Sequence, residues 1–472
     1  MKRTKIVATL GPASSSKEML RSLVHAGVNV FRLNFSHGDY TAHGATLENI
    51  RAVDEELGTC TATLADLQGP KLRVGDIEGG QMELVEGEEL IFRTGREIGK
   101  AGVVSTTYES FARDVQVGEP VLLDDGKLRL EVVASNGLNE VRCRVLNGGV
   151  LKPRKGINLP STQVSLPCIT EKDAADLAFA LENDVDWIGL SFVRRASDIR
   201  ELRAIIEKSG KHARIVAKIE KPEALAELDG ILECTDAVMV ARGDLGVEVP
   251  MESVPMIQKD IIARCMERGR PVIVATQMME SMIENPVPTR AEVNDVANAV
   301  LDGADAVMLS AETSVGAYPV QAVMAMARIA EEMEQHDRVF YHDRAPISAS
   351  EDRFVSDSMC YSACRLAKRV EAKAIVTMTF SGYTAIQVAS QRPRAHIYVF
   401  TANKWILNQM SLVWGVQAYP YMKMVSTDHT ISDIKQLLLQ KGKVGMGDFV
   451  VHLASMPIAD AGMTNMLKLS KV

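Results

Sequence analysis

Positive charge is in short supply in this chain. Lys and Arg number 53 against 61 Asp and Glu, a formal net charge of -8 over 472 residues. That balance excludes a broad nucleic-acid surface, which needs a basic patch to neutralise phosphates. It leaves room for small phosphorylated ligands, which a few well-placed cations can hold. Long hydrophobic runs are also missing, and no stretch is long enough to span a membrane. The N-terminus MKRTKIVATLGP is basic, but its apolar run IVATL is short and Gly-Pro ends it, which argues against a signal peptide. The seven cysteines are scattered, odd in number and without a CxxC pair. No disulfide framework is expected, and a reducing cytoplasm is. Cys360 and Cys364 can share a helix face, where they read as core packing rather than as zinc ligands.

What the chain does have is concentrated in Met239–Glu248, MVARGDLGVE. An apolar run ends in a turn that sets out Arg242, Gly243 and Asp244 together. Upstream, IVAKIE ends in Lys218 and Glu220. Two carboxylates, Glu220 and Asp244, suit a hard cation such as Mg²⁺, which takes oxygen ligands and keeps several waters. A lysine beside them, and a glycine that admits close backbone approach, complete what phosphoryl chemistry requires.

The length is too great for one hydrophobic core and implies roughly two to four domains. The opening reads β-α-β-α-β: strand-like runs at 5–11, 28–38 and 61–70 alternate with helical stretches at 16–26 and 42–56. From about 71 to 166 the texture changes to short runs broken by Gly, Asn and Asp, with DDGK as a hairpin turn, an inserted antiparallel β module. Strand-like runs then resume at 187–193, 214–220, 237–244, 271–277 and 306–312. Eight βα units close most economically into a (β/α)₈ barrel, whose C-terminal strand ends build the active site. Those ends carry Arg32, Asn34, Asp66, Ser191, Lys218, Glu220, Asp244, Thr276, Ser310 and Glu312. The Met-rich run MMESM reads as barrel core. HDRVFYHDRAPISASEDR, 336–353, reads as a linker to a third, α/β segment with strands in AKAIVTM, HIYVFT and DFVVHLA. There TFSGYT places hydroxyls and a glycine at a helix N-terminus, where anions can bind.

The motifs FRLNFSHG (31–38), DLQGPKLR (66–73), KGINLP (155–160), AKIE (217–220), MVARGDLGVE (239–248), ATQMMESM (275–282) and PTRAEVNDVANAVLDGADAVMLSAET (288–313) occur in order along nearly the whole length. In this the chain resembles the pyruvate kinases of bacterial type. The resemblance implies an α/β fold: a catalytic (β/α)8 TIM barrel (1–69 and 167–340), an inserted small β-barrel lid (70–166) and a C-terminal α/β regulatory domain (341–472). It implies Mg²⁺- or Mn²⁺-dependent transfer of the phosphoryl group of phosphoenolpyruvate to ADP, giving pyruvate and ATP, by a cytoplasmic homotetramer.

Carried onto this sequence, the resemblance gives Arg32 the substrate phosphoryl and Lys218 the charge on the moving phosphoryl. Glu220 and Asp244 hold the metal. Gly243, Asp244 and Thr276 frame the substrate, and Thr276 helps to protonate the enolate carbon through water. Arg73 and Lys155 contact nucleotide phosphates, with Asn34 and His37 lining the nucleotide pocket. Family members that need K⁺ bind it at positions equivalent to Asn34, Ser36, Asp66 and the carbonyl of the next residue, here Leu67. In those members Thr stands at 67 and Glu at 71. Here Leu67 and Lys71 do, and a lysine ammonium can replace a monovalent cation. K⁺ is therefore expected not to be required. The loop with Thr379, Ser381, Gly382 and Thr384 matches where family members bind phosphorylated effectors, but contains no Lys or Arg of its own. A metal-dependent aldolase of pyruvate enolates needs no ADP site or lid, and a catalytically dead metabolite sensor would not keep every matched catalytic position.

Overall fold

The structure is a computed structural model and describes residues 2–346, 353–423, 426–456 and 462–472. Eight parallel strands close into a barrel in chain order: Lys5–Thr9, Val30–Asn34, Ala62–Asp66, Trp187–Leu190, Arg214–Ile219, Ala237–Ala241, Val272–Ala275 and Ala306–Leu309. Closure is made where Lys5 pairs with Ala306 and Val7 with Met308. The strands are apolar on both faces because side chains fill the barrel interior while helices cover its outside. Val7, Val30, Leu64, Trp187, Met239 and Ile273 belong to one fully buried cluster.

Local signals set the helix ends. The Ser16 side chain accepts from Met19 N–H to start Lys17–Ala26, and Gly27 stops it at φ 114°. Thr289 and Glu292 form a reciprocal capping box on Arg290–Asp302.

The inserted module is a separate unit. Its main sheet has six strands, and a two-stranded ribbon joins Met82–Leu84 to Gly149–Leu151. The DDGK hairpin is present: Pro120–Leu123 pairs antiparallel with Leu128–Ser135, and Asp124, Asp125 and Gly126 carry the positive φ that a tight reversal demands. One pairing departs from the antiparallel expectation. Glu89–Thr94 runs parallel to Val103–Thr106, a strand the sequence pattern did not suggest.

The C-terminal unit is a five-stranded sheet whose last strand, Met466–Lys471, is antiparallel to Phe449–Ala454. That strand and Val416–Pro420, both at sheet edges, add to the three expected. Cys360 and Cys364 are buried on helix Phe354–Arg369, in the apolar core of this unit. The linker reading of 336–353 lies partly outside the described residues. Its first part is not loose, since Val339 and Phe340 are buried against Trp414. The barrel and the C-terminal unit meet through a buried ion pair, Arg392 with Asp305 at 3.1 Å. Among the described residues no helix is long and apolar enough to cross a membrane.

Candidate active site

The C-terminal ends of the barrel strands gather the expected side chains onto one rim. Lys218, in the fifth strand and 8% exposed, sends its ammonium between two acids. It lies 2.9 Å from Glu220 Oε1, 3.1 Å from Asp66 Oδ1, and donates to Ser191 Oγ at 2.6 Å. Asp66 is shared: its other oxygen takes Arg32 Nε at 2.6 Å, while Arg32 Nη1 donates to Thr9 Oγ1 at 2.9 Å. Glu220 is fixed from the other side by the Phe192 N–H at 2.6 Å. Phe192 holds a φ of 54° to make that turn, so the strand read as 187–193 ends at Leu190.

The electrostatics follow from burial against opposite charge. Burial alone would push Asp66 up, but Lys218 and Arg32 outweigh it and hold the carboxyl below the ordinary range. Burial alone would lower Lys218, yet Asp66 and Glu220 raise it, so the ammonium stays charged. Glu220 is raised, by burial first, with Lys218 opposing and the nearby Asp244 carboxylate adding to the rise. Two acids that repel each other across one small space are a ready seat for a divalent cation. The donor set, two hard carboxylates, fits Mg²⁺, which takes oxygen ligands.

Asp244 does not sit in an open turn as the sequence suggested. The sixth strand stops at Ala241, and Arg242–Glu248 is a short helix that carries Gly243 and Asp244 in its first turn. Gly243 N–H donates to Thr276 Oγ1 at 2.7 Å, and that hydroxyl donates to the Ala275 carbonyl at 2.6 Å. Thr276 has φ 69°, in the left-handed region that a β-branched residue enters only under constraint.

The constraint comes from a residue to which the sequence pattern assigns no role. Asp295, on helix Arg290–Asp302, pairs with Arg242, whose guanidinium also donates to the Thr276 carbonyl at 2.7 Å. The one sequence signal for it is a charged position inside the 288–313 motif. Glu312 is buried and accepts from the Ser310 and Met279 N–H groups, so it ties two loops together.

Asn34, Ser36, Asp66 and Leu67 come together at the ends of the second and third strands. Asn34 is paired with Asp66, Asn34 Oδ1 accepts from Ser36 N–H at 3.1 Å, and the Leu67 carbonyl accepts from Ser191 Oγ at 2.6 Å. Lys71 is not bonded to these groups. Its ammonium contact is with Asp244, 3.4 Å from Oδ1.

Arg73 and Lys155 lie on the inserted module, where Arg73 bridges to Gly156 and Lys155 pairs with Asp124 at 2.7 Å. His37 is on the barrel side. Its carbonyl accepts from the His43 ring, and it makes no side-chain contact with Arg73 or Lys155 among the described residues. In the C-terminal loop, Gly382 has φ 79° and its N–H donates to Thr379 Oγ1 at 3.0 Å. Thr384 shares a hydrogen bond with Thr464 at 2.7 Å, so of the loop's four singled-out residues Ser381 is the exposed one. The cation missing from this loop is supplied by the barrel: Arg214 donates to the Ser381 carbonyl.

Comparison with known proteins gives one family throughout. The model described as "Pyruvate kinase, barrel domain" matches residues 1–323, and "Pyruvate kinase, alpha/beta domain" matches 357–470. A pyruvate kinase of Geobacillus stearothermophilus is 45% identical over 471 residues, covering 99% of this chain and 80% of that one. One from Staphylococcus aureus (strain MRSA252) is 43% identical over 475 residues, covering 100% of this chain and 81% of that one. A crystal structure of a pyruvate kinase from Cryptosporidium parvum superposes with a TM-score of 0.93 at 36% identity, covering 100% of this chain and 96% of the other.

Proposed function

The chain belongs to the pyruvate kinase family, and is therefore a phosphotransferase of glycolysis; on that premise we propose that it moves the phosphoryl group of phosphoenolpyruvate onto ADP. The observation that carries this reading is the Lys218 ammonium held between Asp66 and Glu220, with Asp244 beside them. Phosphoryl transfer asks a protein for alignment and charge stabilisation, and this rim offers both.

Arg32, anchored by Asp66 and Thr9, binds the substrate phosphoryl group. Lys218 remains protonated and stabilises the negative charge spread over the phosphoryl oxygens as the bond to the enolate oxygen lengthens. Glu220 and Asp244 hold Mg²⁺ or Mn²⁺, which when bound supplies Lewis-acid stabilisation of the substrate oxygens. Gly243 and Thr276 frame the substrate. The Thr276 hydroxyl, fixed between the Gly243 N–H and the Ala275 carbonyl, relays a proton through water to the enolate carbon. Arg73 and Lys155 on the inserted lid, with Asn34 and His37 on the barrel, receive the nucleotide phosphates when the lid approaches.

The fixed positive charge of Lys71 supports a weak or absent need for K⁺, delivered at Asp244 rather than inside the Asn34–Asp66 cluster. The 379–384 loop, with Arg214 behind it, supports binding of a phosphorylated effector. Cytoplasmic location and a homotetramer complete the proposal. Pyruvate release from phosphoenolpyruvate that depends on ADP and on Mg²⁺ tests it; release that is indifferent to ADP would overturn it.

A further inference from the structure

Glu248 ends the short helix that begins at Arg242 and carries Asp244. The two acids stand at i and i+4, so they share one face of that helix. The Glu248 side chain has no exposed surface. One oxygen, Oε1, accepts from the Lys221 ammonium at 2.7 Å and from the Asn158 side-chain amide at 2.8 Å. The other, Oε2, has no hydrogen-bond partner among the described residues. A buried carboxylate is costly unless its charge is matched, and Lys221 matches it.

The two partners come from different parts of the molecule. Lys221 directly follows Glu220, the other metal-seat acid. Asn158 lies in strand Ile157–Asn158, which pairs with Pro120–Leu123 and belongs to the inserted lid. Lys155 of the lid stands just upstream on the same segment. One carboxylate oxygen therefore joins the segment after Glu220, the helix bearing Asp244, and the lid. The helix is held at its first residue from the barrel, by Arg242 on Asp295, and at its last residue by the lid as well. The lid approaches it again at the DDGK turn, where a Cβ added to Gly126 would stand 3.6 Å from Val247 Cγ1. The seam around these contacts is not filled. A cleft of about 30 Å³, space for about one or two waters, is lined by Leu72 and Ile157 of the lid and by Phe192, Arg194 and Glu248 of the barrel. Directed polar contact, more than close packing, registers the lid here.

We propose that Glu248 is a positioning residue that couples the lid to the metal seat. Through Lys221 it fixes the spacing of Glu220 and Asp244, and through Asn158 it makes that spacing depend on where the lid stands. The inference rests on the metal and nucleotide roles proposed above. Glu248 acts through the backbone beside the two acids, not on the reacting atoms. A lid seated on Glu248 tightens the metal seat. By linkage, an occupied seat favours the lid position that brings Arg73 and Lys155 to the nucleotide.

Binding of Mn²⁺ to the full chain without substrate or nucleotide, read by electron paramagnetic resonance, tests this apart from turnover. Asp244→Ala identifies the rim site by abolishing it. Glu248→Gln should weaken Mn²⁺ binding about tenfold or more, as loss of a group that orients metal ligands does. That variant leaves Lys221 buried without its counter-charge and can fail to fold, so Asn158→Ala decides. It changes only the lid side of the junction, and Mn²⁺ affinity should still fall about fivefold or more. At saturating Mg²⁺ its KM for ADP should rise while KM for phosphoenolpyruvate holds. Equal Mn²⁺ affinity in wild type and Asn158→Ala overturns the coupling. So does weakened Mn²⁺ binding with KM for ADP unchanged, which would leave Glu248 a support of the acids alone. A wild type without an Asp244-dependent Mn²⁺ site would instead sink the metal role from which the inference starts, so the two failures are told apart.

Discussion

Arg242 grips Asp295 with both terminal nitrogens, each 2.7 Å from a carboxylate oxygen, and turns the same guanidinium onto the Thr276 carbonyl. Thr276 is thereby held at a φ of 69° that it would otherwise leave. Asp295 touches no substrate in this scheme and acts through Arg242 as a positioning residue. Asp295→Ala should lower kcat by about tenfold, because small misplacements of an aligned group are amplified in the rate. KM for phosphoenolpyruvate should move less. The lost charge-assisted hydrogen bonds should cost about 1.5–3 kcal/mol of stability, and Asp295→Asn should recover part of kcat. A variant that loses thermal stability with kcat intact would make the pair merely structural.

Lys218→Met removes the charge between Asp66 and Glu220 while keeping much of the side-chain volume. Turnover should fall by orders of magnitude, because the ammonium stabilises charge that develops mainly in the transition state. Equilibrium binding of phosphoenolpyruvate should weaken little, since Arg32 keeps its anchors on Asp66 and Thr9. Fluorescence titration beside steady-state kinetics separates the two. Near-normal turnover would remove Lys218 from the mechanism.

How much of this was legible in the chain depends on what each part answers to. Eight buried runs ending in polar residues, each followed by a helical stretch, announce a barrel, because strands buried on both faces read as continuous apolar stretches. Lys218, Glu220 and Asp244 could be read for the same reason: charge directly after such a run has to lie on the rim. Edge strands hid. Met466–Lys471 alternates apolar and polar residues with much of it exposed, and Val416–Pro420 ends in a proline. The destination of Lys71 hid as well. The family resemblance set it beside Asn34 and Asp66, whereas its ammonium lies 3.4 Å from Asp244, in the short helix that follows the sixth strand. Asp295 and Arg214 act across 53 residues and 167 residues of chain respectively, separations that no local pattern encodes.

The position of Lys71 bears directly on the cation requirement. Assayed in buffer free of sodium and potassium, the enzyme should be activated less than about twofold by added KCl, since a compact +1 charge is already fixed at the rim. Lys71→Glu should lower activity without KCl and restore a strong response to it. Large activation of the wild type by KCl would end this reading.

His452 lies in strand Phe449–Ala454 with no exposed surface, and its Nε2 is 2.8 Å from Ser470 Oγ. Its Nδ1 has no partner among the described residues. Burial, aided by Lys435 and Lys468, lowers its pKa from 6.5 to about 4. The folded state therefore holds the neutral ring more firmly than the unfolded chain does. The associated stability is complete above pH 6.5 and is lost as pH falls through about 4. At full effect the loss is about 3 kcal/mol. His342 and His396 are displaced in the same direction, so they deepen the same acid limb. His452→Phe removes one of these titrations while filling the site. The gap in unfolding midpoint between wild type and His452→Phe should shift in the variant's favour as pH is lowered from 7 to 4. Parallel midpoints across that range would mean that His452 titrates alike in the folded and unfolded protein, and a shift against the variant that it is already charged in the fold; either outcome overturns the buried neutral ring.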